Sequence, residues 1–262
     1  MAFGYTKNEF EKKSTRERYR IERAELYFRR KAGKTPFIFF AGALILGLYA
    51  YWGGGPLHYV SAALFAGLGV WQFFYVNRAG VTAEEVDERS RAMRGSLDPE
   101  TDALNASDMD YDAFMDAPKI RIWGYTTLPI GEKKAVLRAD RTDDTARSSH
   151  LQFTVFTLAE DTLETYSVIR SLLGDEKEET VMGWSYAQLK DAGFERFAAD
   201  CAIEAGGEKT ELRKFPVVSI RCNNKRMNRS YAICEDCRGD AEKLLRSIQK
   251  KQDTLEKGNE VS

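Results

Sequence analysis

Between Thr35 and Asn77 the chain has no Asp, Glu, Lys or Arg, although these four residue types make up 30% of its 262 residues. Pro36 to Trp52 and Leu57 to Val76 each approach the ~20 apolar residues that cross a hydrocarbon core ~30 Å thick. Gly53, Gly54, Gly55 and Pro56 interrupt helix between them. The pattern predicts a membrane-spanning helical hairpin over 35–77, with helices at about 36–52 and 57–76. A soluble hairpin would keep a polar face, and this run has almost none.

The flanks extend that expectation. Trp52 and Tyr59 at one end, and Trp71 and Tyr75 at the other, have rings that suit a membrane–water interface. Arg29, Arg30, Lys31 and Lys34 precede the first span, Arg78 follows the second, and the loop between offers only His58. By the excess of cations on the inner side, both termini are expected in the cytoplasm. These eight positions, with Arg78, are the candidate bilayer contacts. Small residues four apart, Ala43 and Gly47, Ala62 and Ala66, Ala63 and Gly67, would let helix backbones approach closely.

Outside the hairpin, charge is segregated along the chain. Residues 1–34 carry eleven Lys or Arg against five Glu, a net of +6, whereas residues 84–116 carry eleven acidic residues against three Arg. The first segment is expected as a basic helix whose glutamates pair along it. The segment 78–117 is expected as an acidic helical connector. In it Thr82 and Glu85 form a capping box and Pro99 starts a second helix. The acidic stretch Asp108 to Asp116 lacks the glycine and terminal Glu of an EF-hand loop.

From Lys119 the pattern turns to strands. Alternating or apolar runs fall at 120–123, 135–140, 151–158, 163–172, 179–189, 194–203, 216–222 and 230–234, with turn residues between them. Many short strands at such spacing predict a mainly-β antiparallel sandwich or barrel over 118–253. The consecutive apolar residues of Leu151 to Phe156 fit a strand covered on both faces. A final helix from Cys237 to Gln252 puts Ala241, Leu244, Leu245 and Ile248 on one face, and 254–262 is a polar tail.

This order of elements resembles a bacterial architecture of two-span membrane proteins with a cytoplasmic pleckstrin-homology-like domain. The resemblance is carried by Phe156 to Tyr166, read as a hairpin, and by Glu178 to Leu189, read as a strand ending in paired aromatics. It implies a membrane α-helical hairpin in the inner membrane plus a PH-like bent seven-stranded sandwich capped by the C-terminal helix. Some relatives of that fold hold phosphoinositides through clustered cations between the first two strands. Here Arg138, Arg141 and Arg147 alternate with Asp140, Asp143 and Asp144, which opposes a dedicated phosphate cradle.

Cys234-Glu235-Asp236-Cys237 is the sharpest chemical motif. A Cys-x-x-Cys pair can bind zinc or cycle as a dithiol, but zinc needs further ligands, and free cysteines often pack as small apolar residues. No Walker loop and no Ser-His-Asp arrangement is legible, so no catalytic residue and no cofactor is assigned. Lys225, Arg226 and Arg229 form a small basic tip, read as solvated and not as a nucleic-acid contact. The expected function is a non-enzymatic integral-membrane adaptor that binds a protein partner or copies of itself, with a groove beside the C-terminal helix as the docking surface. The alternatives are a membrane-associated zinc or redox protein using Cys234 and Cys237, or a sensor of anionic lipid.

Overall fold

The computed structural model describes residues 12–29, 35–53, 55–78, 82–139, 145–203 and 209–260. Arg30, Lys31, Lys34, Asp140, Arg141, Asp143 and Asp144 lie outside the described residues, as do the side chains of Arg29, Tyr75 and Arg78. The helices are α1 (Thr15–Arg29), α2 (Thr35–Tyr51), α3 (Pro56–Arg78), α4 (Ala83–Gly95), α5 (Pro99–Ala106), α6 (Tyr111–Asp116) and α7 (Arg238–Glu260). The strands are β1 (Lys119–Thr126), β2 (Leu137–Ala139), β3 (Ala146–Ser148), β4 (His150–Leu158), β5 (Thr162–Ser171), β6 (Lys177–Ser185), β7 (Leu189–Ala202), β8 (Thr210–Cys222) and β9 (Arg229–Ala232).

The fold is mixed α and β, with two sheets. Strands β1-β4-β5-β6 form one and β3-β2-β7-β8-β9 the other. Alternation along β4 explains how both faces of the first sheet are used. Phe156 and Leu158 point into a core shared with Trp184, Ile220, Tyr231 and the α7 residues Ala241, Leu244 and Ile248. Leu151, Phe153 and Val155 point the other way, into a core with Tyr27, Phe28, Val86, Ala103 and Phe114 from the helices. Every residue of β4 is therefore buried.

That second core changes the reading of the N-terminal third. The basic helix and the acidic connector are not solvated tethers; α1, α4, α5 and α6 cover the outer face of the first sheet. Ile21, Ala24 and Tyr27 of α1 are buried, and the opposite charges of the two segments meet. Arg23 donates to both carboxylate oxygens of Glu85 at 3.0 and 2.7 Å, and Arg20 reaches Glu88 at 2.6 Å. Thr82 N–H donates to the Glu85 carboxylate at 3.1 Å, and Asp98 caps α5 by accepting from the Thr101 hydroxyl at 2.7 Å.

The expected fold class is corrected at the hairpin. No helix among the described residues is long and apolar enough to cross a membrane. Helix α2 has 17 residues, a rise of about 26 Å at about 1.5 Å per residue, short of a ~30 Å hydrocarbon core. In α3 the described side chains run only from Pro56 to Trp71, and they include His58 and Ser61. The membrane-spanning hairpin, the integral-membrane function, the inner-membrane location and the cytoplasmic assignment of the termini all rested on two spans and are withdrawn with them. The mainly-β sandwich of seven strands is likewise replaced by two sheets of four and five strands with helices on the outer face.

Helices α2 and α3 do pack against each other. Phe39 and Phe65 rings lie 5.9 Å apart, and a Cβ on Gly42 would come within 2.9 Å of the Phe65 ring. Gly69 is close to Phe40 in the same way, whereas Gly47 and Gly67, expected at a helix contact, face open space. Trp52, Tyr59 and Trp71 are exposed.

Candidate functional site

A cleft of about 960 Å³ opens between α4, β1, β3, the β7–β8 hairpin and the turn that leads into α7. Its construction starts at Gly124. A Cβ there would lie 2.6 Å from the backbone N and C of Ile233, so only glycine lets that turn rest directly on β1. The approach is held by Cys234 N–H, which donates to the Trp123 carbonyl at 2.6 Å.

The opposite wall is fixed by charge. Arg147 donates to Asp87 through Nε at 2.9 Å and Nη2 at 2.8 Å, a bidentate geometry. The Tyr125 hydroxyl donates to the same carboxylate at 2.7 Å. Burial, reinforced by Asp87, pushes the Tyr125 phenol far above its usual range, so it stays protonated as a donor. These contacts tie α4 to β1 and β3.

The β7–β8 hairpin supplies Phe194, Glu195, Arg196, Lys214 and Phe215 to the cleft. Glu195 is engaged by Ser219 at 2.9 Å and by Arg221. The Arg238 guanidinium stands 5.9 Å from the centre of the Phe194 ring. Strand β9 pairs with β8 only from Val217 to Ile220, so among the described residues no strand pairs with Thr210 to Phe215 on the side away from β7. An unpaired strand edge thus borders a cleft with aromatic and cationic walls.

Cys234 lies on one rim of the cleft and donates to the buried Cys237, with the sulfurs 3.2 Å apart. That hydrogen bond, with smaller help from the Trp123 backbone and the Arg94 charge, lowers the Cys237 thiol below its ordinary value. The same bond is the largest cause raising Cys234, followed by burial. Cys201 and Cys222 are buried apart from the motif, and burial pushes the Cys201 thiol up to about 11. No cluster of three or more His, Cys, Asp or Glu placed to hold a metal occurs among the described residues. A zinc site at Cys234 and Cys237 therefore lacks further ligands there.

The other sequence candidates separate. Arg138 donates to the Tyr27 carbonyl and stacks 4.4 Å from the centre of its ring, and Arg147 is committed to Asp87. Two of the three arginines whose mixture with aspartates opposed a phosphate cradle are thus engaged within the fold. His150 is buried and its Nδ1 lies 2.9 Å from the Leu128 carbonyl, remote from any nucleophile pairing. Sequence reading missed Asp87, Gly124, Phe194 and Lys214. Only Gly124 carried a signal, since glycine inside an alternating strand marks a bulge or a close backbone approach.

No family model matches this chain, and neither the curated proteins nor the solved structures provide a match.

Proposed function

We propose that this protein is a binding module whose cleft receives an extended acidic segment of a protein partner. The observation that carries the reading is the unpaired β8 edge from Thr210 to Phe215, which borders the cleft beside Arg196 and Lys214. An added strand satisfies such an edge through main-chain hydrogen bonds, while pockets beside it select alternate side chains. Phe194, 42% exposed, offers apolar surface for those side chains. Charge beside the strand edge selects the partner's sign: Glu235 and Asp236 also line the cleft, but Lys214 on the edge strand and Arg196 on the strand paired with it have no ion-pair partner among the described residues, whereas Asp87 and Glu195 are engaged by the protein's own donors.

The test is binding of the full chain to a displayed library of peptides that are acidic, neutral or basic. Enrichment of acidic sequences with spaced apolar residues is expected. Reversing both charges, Arg196→Glu with Lys214→Glu, should weaken the selected peptides by on the order of tenfold or more, since each close cross-interface charge pair contributes on the order of a kcal/mol or more. Equal recovery of all three classes, or binding indifferent to the reversal, rejects the reading.

A further inference from the structure

We propose that Cys234 and Cys237 form a dithiol–disulfide couple that reacts with small peptide disulfides of the glutathione type. The proposal stands apart from the identity of the cleft's occupant and rests on placement. The sulfurs are 3.2 Å apart, so closing a bond of about 2.0 Å asks for a movement of about 1 Å. Cys234 caps and Cys237 ends a single turn, Glu235–Cys237, directly before the 23-residue helix α7. The positive end of a helix of that length favours a thiolate at its start.

Access separates the two sulfurs. Cys234 is partly exposed and lines the cleft, while Cys237 is buried behind it. The hydrogen bond from Cys234 favours the thiolate on Cys237 and raises the Cys234 thiol, so Cys234 attacks only after its proton crosses the 3.2 Å contact to Cys237. When that proton moves to Cys237, Cys234 is the thiolate that faces solvent.

Two exchange steps balance the electrons. The Cys234 thiolate attacks one sulfur of the small disulfide, forming a mixed disulfide and breaking the original bond. The departing thiolate takes a proton from water. Cys237 then gives its proton to water and attacks Cys234 Sγ, closing the internal disulfide and expelling the second small thiolate, which is protonated from water in turn. The pair is oxidised by two electrons and the small disulfide is reduced to two thiols.

Cys234 N–H is held by Trp123 and its side chain lines the cleft, so oxidation alters the cleft's rim. The other two cysteines serve as internal controls. Cys201 and Cys222 are buried, and burial raises both thiols.

The experiment equilibrates the reduced full chain in a series of glutathione buffers, from fully reduced to fully oxidised, then alkylates free thiols in denaturant and maps them by mass. The expected result is loss of two of the four thiols, with a Cys234–Cys237 cross-link in the digest. Cys234 should react on the order of tenfold faster or more than Cys201 and Cys222, because attack requires an accessible thiolate. Cys237→Ser should retain one glutathione on Cys234, and Cys234→Ser should retain none. Four alkylated thiols throughout the series would overturn the proposal, as would protection at Cys201 or Cys222, or a stable mixed disulfide on the unaltered protein. Because the unaltered chain supplies the main readout, a variant that fails to fold leaves the test intact.

Discussion

The Arg147 guanidinium grips both oxygens of the Asp87 carboxylate, at 2.9 and 2.8 Å, with the Arg147 side chain only 5% exposed. The two residues belong to elements of opposite origin in the chain's charge pattern: Asp87 to the acidic connector, Arg147 to the mixed stretch between the early strands. Their pairing binds the helical layer to the sheets and sets one wall of the cleft.

Removing Asp87 takes two charge-assisted hydrogen bonds from the buried Arg147 guanidinium. Asp87→Ala should cost about 3 kcal/mol, the lower end of the usual cost of breaking a buried pair, because the Asp87 side chain retains 34% exposure. The check is the urea midpoint at unchanged slope. Asp87→Ala combined with Arg147→Met should be more stable than Asp87→Ala alone, since the buried charge that lost its bidentate carboxylate is gone. A double variant no better than the single would show that packing, not charge, dominates there.

Gly124→Ala tests how the cleft's floor is made. The added Cβ would meet Ile233 backbone atoms at 2.6 Å, and backbone cannot rotate aside as a side chain can. The turn must lift from β1, at a cost of about 1–3 kcal/mol typical of overpacking. Hydrogen exchange at the Cys234 amide, which donates to Trp123 at 2.6 Å, should accelerate more than exchange in β5. Unchanged protection at Cys234 would contradict the role given to Gly124.

How legible these features were from sequence depended on how local they are. Helix α7 was readable because Ala241, Leu244 and Ile248 recur at helical spacing, and all three are buried. Strand β4 was readable, and its two-sided burial with it, because apolar residues crowd both parities. Strand β8 was expected to start at Pro216 but begins at Thr210; in its first half Leu212 and Phe215 fall on opposite faces among polar residues, so no alternation marks it. Burial of α1 was hidden because Ile21, Ala24 and Tyr27 are dispersed among charges that pair with α4. The uncharged run over 35–77 was over-read: hydropathy registers composition, whereas the length of regular helix decides a crossing, and α2 stops at Tyr51. A docking groove beside the C-terminal helix was expected, but the lining of this cleft could not be read, since Asp87, Trp123, Arg147, Phe194 and Lys214 come together only through the tertiary fold.

His150 should make stability depend on pH. Burial lowers its pKa below the ordinary value, and the neutral ring lies 2.9 Å through Nδ1 from the Leu128 carbonyl. The unfolded chain takes up the proton near pH 6.5, before the folded protein does. Stability contributed by the neutral ring is thus complete above about 6.5 and declines as pH falls from there toward the lower folded value. Below the folded value the decline stops. His150→Gln should flatten the stability profile below about pH 6.5 relative to the parent; an unchanged slope would assign the dependence to other groups.

Gln152 joins the two sheets through a buried amide. Its Nε2 donates to Ser167 at 2.9 Å, and its Oε1 accepts from Ala232 N–H of β9 at 2.9 Å. Ser167 keeps a second partner in Thr154 at 3.1 Å, so the group stranded by Gln152→Met is the Ala232 amide. The expected loss is about 1–3 kcal/mol, the cost of one buried unsatisfied donor. Gln152→Glu separates the hydrogen bonds from the charge. A protonated carboxyl introduced there can donate to Ser167 and accept from Ala232, whereas an ionised one places a buried charge without a cation. Burial raises the folded pKa of such a carboxyl above its unfolded value of about 4.3. Gln152→Glu should therefore lie close to the parent below about pH 4 and fall behind it as pH rises through the higher folded value. Urea midpoints of both proteins across that range decide the matter, and a deficit constant with pH would mean that the amide's shape, not its neutrality, is what the sheets require.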